Sequence, residues 1–431
     1  MLASSVLDAQ RPVGTAISVG FLLAVVAASI LPITLGGIRI RPVLVAVPGA
    51  VVLIVLGVIE WSATLDELTF LGPVIGFLAA MFVIADVCAR TGVFSWVGAR
   101  MAVSSGGSPT RLLSLVFVVA AVTTAVLSID TTIVLLTPVA VGTARLIGAR
   151  VAPVGAASAH LANSASTLLP VSNLTNLLAF SATGLGFLGF AGLMAAPWVV
   201  AIAVEYAIFR WFFNADLAAP RQAESDHQSA DAAPARPTVT LVMLGLLLTA
   251  FVIAGPLGVP LWAVAVSGAV IMVAPLTRRY PIATAARTGR ALNVGFLAFV
   301  AALGVLVLGV RVGPVGGAIT ALLPTGESLP ALLAAAAIAA VAANLLNNLP
   351  ATLLLIPLVA HSPGLALAVL LGVNIGPNLS YFGSLANLLW HDVMRRHGTV
   401  PPTRRSLLLG AVSVPPTLVA AVIALWVALQ F

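Results

Sequence analysis

The sequence predicts an all-α polytopic membrane protein: two inverted repeats, about ten transmembrane helices and two re-entrant hairpins, with several helices broken in mid-span. Three observations carry this. The first is composition: of 431 residues, 61% are hydrophobic and 8% charged, with a mean hydropathy of +1.15. A soluble domain carries about 25% charged residues, so this chain cannot coat a soluble core of its length. The second is that long apolar runs recur from end to end, each near the ~20 residues that cross a hydrocarbon core of about 30 Å. Such runs must be helical, because lipid leaves open backbone groups unsatisfied. The third is that polar breaks recur in the same order in both halves.

Whole spans are expected at 13–35, 43–59, 70–87, 187–209, 239–253, 259–275, 292–310 and 407–431. The first is too long for a signal-peptide core and no small-residue cleavage site follows it, so it reads as a retained span. Four apolar stretches are interrupted. Residues 112–144 break near Ser128-Ile129-Asp130-Thr131, and 153–180 break around Thr167 to Thr175. Residues 332–360 break at Asn347-Asn348-Leu349-Pro350, and 365–390 break from Asn374 to Gly383.

Charge assigns the crossings. All twenty basic residues are arginines. If the first and third interrupted stretches return to their own side and the other two cross, only Arg11 and Arg311 face outward. The remaining arginines, 18 of the 20, share the cytoplasmic side, as the positive-inside rule requires. A full crossing by 112–144 would move Arg145 and Arg150 outside. Residues 1–213 then form the first repeat, 214–238 a polar cytoplasmic linker rich in Ala, Pro, Asp and Ser, and 239–431 the second repeat. The expected location is a bacterial inner membrane, crossed many times. Scattered arginines in short loops do not form the basic stripe of a nucleic-acid binder, despite the net charge of +7.

The repeat is visible in the breaks. Asn163 and Asn176 lie 13 residues apart, and so do Asn374 and Asn387. Thr131 precedes Pro138 by seven residues, as Pro350 precedes Pro357. Each half holds five spans and one hairpin, so the second half enters upside-down. Inverted repeats with broken helices place a solute site near the midplane. A secondary transporter is therefore expected.

Asp130 is the chemical centre of this reading. A carboxylate in mid-membrane costs roughly 2.5–3.5 kcal/mol on insertion scales and marks an ion or proton path by default. The plainer role is capping the returning half-helix; both can hold together. Ser128, Thr131 and Thr132 surround it. Asn347 and Asn348 occupy the corresponding second tip, faced by Asn173, Thr175, Asn176, Ser384 and Asn387 from the discontinuous spans. Asp86 is expected to pair with Arg90 or to snorkel, Glu205 likewise with Arg210, and Asp392, beside the basic loop, to be structural. His160 could titrate but reads first as packed or water-facing, and Cys88 as a buried thiol. One cysteine allows no disulfide and no multi-thiol metal site. No phosphate-cradling glycine loop is present, so ATP bound to this chain cannot drive transport. No cofactor motif, zinc motif, nucleophile elbow or paired acid and base supports an enzyme.

At these breaks the chain resembles the arsenite efflux permeases, within the ion-transporter superfamily that also holds sodium/proton antiporters and dicarboxylate carriers. Asn374-Ile375-Gly376-Pro377 through Gly383-Ser384-Leu385-Ala386-Asn387-Leu388-Leu389-Trp390 looks like that family's Gly-Pro…Gly-Ser-Leu-Ala-Thr-Leu-Leu-Trp. Val171-Ser172-Asn173-Leu174-Thr175-Asn176 and Asn347-Asn348-Leu349-Pro350 look like two more of its motifs. Ile129 stands where the family has Asn, and Asn387 where it often has Thr. The resemblance implies export of arsenite or antimonite against inward protons. The alternative is a sodium/proton antiporter or a sodium-coupled anion carrier. The partners are a small solute, a proton or sodium ion, and lipid; a homodimer and an associated ATPase are left open.

Overall fold

The computed structural model describes residues 2–31, 34–35, 38–39, 41–219, 234–279, 281–399 and 402–431. Residues 220–233 of the expected linker, with Arg221, lie outside the described residues, as do the side chains of Arg11, Arg39 and Arg279. Among the described residues the protein is helical throughout, apart from an antiparallel pairing of Thr34–Leu35 with Ile38–Arg39. Nine helices among the described residues are long and apolar enough to cross a membrane.

The whole spans appear with shifted ends. The first helix, Leu2–Ile30, stops two residues before Pro32 rather than at 35, since proline disfavours helix at and before its own position. Val43–Val55 is shorter than expected; Gly57, at φ 67°, supplies the left-handed residue that closes it. Trp61–Arg90, Phe187–Phe212, Thr238–Ala254, Leu261–Arg279, Val294–Arg311 and Thr403–Ala428 follow the expected order. Three helices were not expected: Val93–Ser105, Pro281–Ala291 and Pro314–Leu322. Each is shorter than a span and lies in a segment read as a loop. The linker begins with a short helix, Asn214–Ala218.

The four interrupted stretches are broken as expected. Pro109–Val126 turns at Leu127-Ser128 into a helix running from Ile129 to Leu146, with a π-helical stretch at Thr132–Leu136. Leu329–Leu346 turns at Asn347 into Asn348–Val359. In each hairpin the two arms pack against one another. Val151–Ser164 unwinds through short 3-10 turns to Leu174–Thr183, and Pro363–Ile375 unwinds to Leu385–Arg396. Serine caps with proline in the next turn start three of these arms: Ser108 accepts from Arg111 N, Ser328 from Ala331 N and Ser362 from Leu365 N. Such a cap contributes ~1 kcal/mol, and proline at the first turn loses no helical hydrogen bond.

Helix–helix contacts rest on small residues where backbones meet. A Cβ at Gly372 would lie 2.2 Å from the Ala336 carbonyl oxygen and 2.7 Å from Ala339 Cβ. This close approach brings helix 363–375 against helix 329–346, the packing mode expected inside a bilayer. At the arginine-rich face, Asp216, 4% exposed, accepts from Arg150 at 2.9 Å and from Arg405. Asp86 pairs with Arg90, as expected, and Asp392 pairs with Arg396. Cys88 is buried.

Candidate functional site

Both hairpin tips place an L-residue in a backbone region that favours glycine. Ser128 has φ 142° and ψ 169°, and Asn347 has φ 83° and ψ 156°. Such conformations cost of order 1–3 kcal/mol each and persist only when the surroundings hold them. At the first tip the surroundings are hydroxyls. Ser128 Oγ lies 3.0 Å from Thr131 Oγ1 and accepts from Thr131 N; Thr132 Oγ1 donates to the Ser128 carbonyl at 3.2 Å and meets Thr124 Oγ1 at 2.7 Å. Thr131 and Thr132 therefore hold the tip and do not line the cavity beside it. At the second tip, Asn348 N donates to the Gly383 carbonyl at 3.0 Å, and Asn347 Nδ2 donates to the Phe382 carbonyl at 3.4 Å. Gly383 must be glycine, because a Cβ there would sit 2.7 Å from Pro377 Cα and carbonyl oxygen.

A small cavity, of about 60 Å³, lies where the tips meet the unwound segments. Its polar lining is Ser128, Asp130, Asn173, Thr175 and Asn348. Phe77, Leu78, Met81 and Phe296, from helices 61–90 and 294–311, form the apolar side. Asp130 is half-buried there, with no hydrogen bond or ion pair to its carboxyl from any described residue. No basic side chain lines the cavity. Asn347 is 7% exposed and its Oδ1 has no partner.

The remaining expected residues act as ties. Asn176 Nδ2 donates to the carbonyls of Ser166 and Leu169 at 2.6 and 2.8 Å. Asn387 Nδ2 donates to Pro377 and Ser380 at 2.8 and 3.0 Å, at the same offsets of ten and seven residues back. Each thus closes its own unwound loop. Their Oδ1 atoms face the other half: Asn176 accepts from Asn374 Nδ2 at 3.0 Å, and Asn387 from Asn163 Nδ2 at 2.8 Å. Ser384 Oγ caps helix 385–396 by accepting from Asn387 N at 3.1 Å. The sequence reading omitted Asn163, Asn374 and Asn378 from the site, although the 13-residue spacing had marked the first two. Asn374 Oδ1 accepts from Asn173 Nδ2 at 3.1 Å and Thr175 Oγ1 at 2.9 Å, fixing two cavity-lining residues.

One expectation outside the cavity is corrected. Glu205 does not pair with Arg210. It meets His160 Nδ1 at 3.0 Å, and Arg210 instead donates to Tyr206 Oη at 3.4 Å. Five residues along a helix do not share a face, whereas four do. His160 is packed edge-on against Phe209, with ring centroids 5.1 Å apart, rather than water-facing.

The tips and unwound segments thus converge on one cavity, and comparison with known proteins gives the family. The CitMHS family profile, described as citrate transporter, matches residues 21–364. The chain belongs to the citrate transporter (CitMHS) family. Among its relatives, the arsenical pump membrane protein of Escherichia coli is 26% identical over 86% of this chain and 88% of its own length. An uncharacterised transporter of Mycobacterium tuberculosis is 28% identical, over 90% of this chain and 94% of its own. The YdaH transporter of Alcanivorax borkumensis shares the fold, with a TM-score of 0.59 at 17% identity, covering 97% of this chain and 98% of that one. This CitMHS member is a multi-pass membrane transporter.

Proposed function

We propose that the chain exports arsenite or antimonite in exchange for protons, the site being the cavity between the two tips. One observation supports this above the others: the cavity is lined by neutral amides and hydroxyls, with a single unpartnered carboxylate, Asp130, and no basic group. Arsenous acid is neutral at pH 7 and presents three hydroxyls, which Ser128, Asn173, Thr175 and Asn348 can bind as donors and acceptors. A carboxylate without a counter-ion suits a proton carrier, since desolvation favours its neutral form. The same carboxylate would repel citrate or a dicarboxylate unless protonated or ion-bound. Coupling then follows if proton and solute bind alternately, with the repeat core rocking or moving as an elevator against helices 61–90 and 294–311.

Everted vesicles containing the chain test this. Arsenite uptake that needs an inside-acid gradient and collapses with an uncoupler is the expected result, with Asp130→Asn inserting normally and losing at least tenfold in rate. Uptake that follows sodium instead, or an Asp130→Asn variant as active as wild type, would overturn it.

A further inference from the structure

A second small cavity, of about 40 Å³, lies on the other side of the first turn of helix 385–396: Ala386 lines the first cavity and Asn387 the second. His160, Asn378, Ser380, Trp390 and His391 line it. So do Thr403 and Ser406, which flank Arg404 and Arg405, so it opens toward the arginine-rich face. Trp390 is 5% exposed, yet its Nε1 has no partner; Ser380 Oγ has none either. At its inner wall sits the His160–Glu205 pair, with side chains 9% and 1% exposed. Both oxygens of Glu205 are engaged. Oε1 meets His160 and accepts from Asn378 Nδ2 at 3.4 Å, and Oε2 accepts from Ser164 Oγ at 2.5 Å.

The fold does not require this pair. In the second repeat, helix 363–375 packs against helix 403–428, as helix 151–164 packs against helix 187–212. The offset that relates the asparagine pairs puts Leu371 in the place of His160, and helix 403–428 carries no carboxylate at all. A buried ion pair is weak evidence for stability, because desolvation offsets its attraction. An ionisable pair inside a membrane domain is a functional site by default.

We propose that His160–Glu205 is a second protonation site, reached from the arginine-rich face through this cavity and separate from Asp130. It holds one proton as imidazolium and carboxylate. A second proton on Glu205 gives imidazolium and carboxylic acid: on Oε2 it is accepted by Ser164 Oγ, whose own proton goes to the His160 carbonyl at 2.8 Å, whereas on Oε1 it makes Asn378 Nδ2 turn away. Asn378 is the consequential one. Its Oδ1 accepts from Asn163 Nδ2 at 2.8 Å, and that same amide donates to Asn387 Oδ1. Protonation at Oε1 therefore loosens the tie across the unwound segment 376–384. The other charged or titratable groups on the surrounding elements are His391, Asp392, Arg395 and Arg396 on helix 385–396, with Tyr381 stacked on His391, and Arg404 and Arg405 on helix 403–428. Arg111, Asp130, Arg145, Asp216, Tyr206 and Arg210 complete the set on the remaining packed helices.

The role in transport rests on the proton-coupled reading above, but the proton site itself does not need a known solute. Infrared difference spectra of the purified, lipid-reconstituted full chain, taken across a pH series, read protonated carboxyls directly. A titrating band should survive in Asp130→Asn and vanish in Glu205→Gln, which keeps the shape and the Ser164 contact. If Glu205→Gln leaves the band in place, the proposal is wrong. Should Glu205→Gln not fold, Glu205→Asp keeps a titrating group, and its band must move; an unmoved band is equally fatal. In proteoliposomes, Glu205→Gln should displace the pH optimum of gradient-driven arsenite uptake by at least one unit, while solute exchange without a gradient stays within twofold. An unshifted optimum overturns the coupling role. A wild-type chain that moves no arsenite sinks the substrate assignment and leaves the infrared result to decide the proton site.

Discussion

The asparagine ties make a quantitative prediction because the two halves are similar without being equal. Asn176→Ala removes the donor to the Ser166 and Leu169 carbonyls and the acceptor of Asn374 Nδ2. The Leu169 carbonyl keeps Ser172 N at 3.1 Å, but Asn374 is fully buried and its amide has no second acceptor. Stranding a buried polar group costs about 1–3 kcal/mol, and interhelical hydrogen bonds in membranes average about 0.6 kcal/mol, so the variant should lose about 3–5 kcal/mol. Asn387→Ala removes the matching three bonds, but Asn163 Nδ2 keeps Asn378 Oδ1 at 2.8 Å and the Pro377 carbonyl keeps Ser380 N at 3.3 Å. The same principles then give about 2–3 kcal/mol, because fewer groups are stranded. Reversible unfolding in SDS–lipid micelles measures both. The reasoning fails if Asn387→Ala costs as much as Asn176→Ala, or if either costs less than about 0.5 kcal/mol, below even the average membrane hydrogen bond.

Two further outcomes follow from close packing and strain. Gly372→Ala forces a methyl to within 2.2 Å of the Ala336 carbonyl oxygen and should lower stability by about 1–3 kcal/mol in the same assay, the usual cost of overpacking. Asn347→Gly relieves the positive φ, which should raise stability by about 1 kcal/mol, while deleting an amide at the tip; solute uptake in vesicles should fall at least fivefold.

Much of this arrangement is legible in the sequence because membrane insertion leaves so few options. Apolar runs, serine–proline starts and polar breaks each have one economical reading in lipid, and the breaks at Ser128 and Asn347 fall where the residues put them. The short helices 93–105, 281–291 and 314–322 escaped because nothing distinguishes a helix too short to cross from a loop of similar composition. The site divides differently. Asp130, Asn173, Thr175 and Asn348 were marked by polarity in apolar surroundings, and they do line one cavity. Thr131, Thr132, Asn176 and Asn387 carry the same polarity but spend it on backbone carbonyls and neighbouring side chains. Sequence cannot separate those uses, since both need a hydrogen-bonding group away from water. Nor could it find Glu205 beside His160, a contact between residues 45 apart on different helices.

The cavity's two walls bear on how it opens. The polar wall belongs to the tips and unwound segments, and the crossed asparagine pairs stitch those segments to each other. Separating them would break buried hydrogen bonds one after another, each leaving an orphan in a low-dielectric interior. The opposite wall, Phe77, Leu78, Met81 and Phe296, makes only apolar contacts with the cavity, and apolar faces slide without stranding any donor or acceptor. Access is therefore cheapest along that second boundary. The polar link that crosses it near the other face is Arg311, which donates to Glu67 at 2.8 Å on one side and to the Leu353 carbonyl at 3.4 Å on the second hairpin. If the core moves as a body, the Arg311–Leu353 bond must break while Arg311–Glu67 persists. A cross-link between positions 311 and 353 should then arrest transport, and one between 67 and 311 should leave it running.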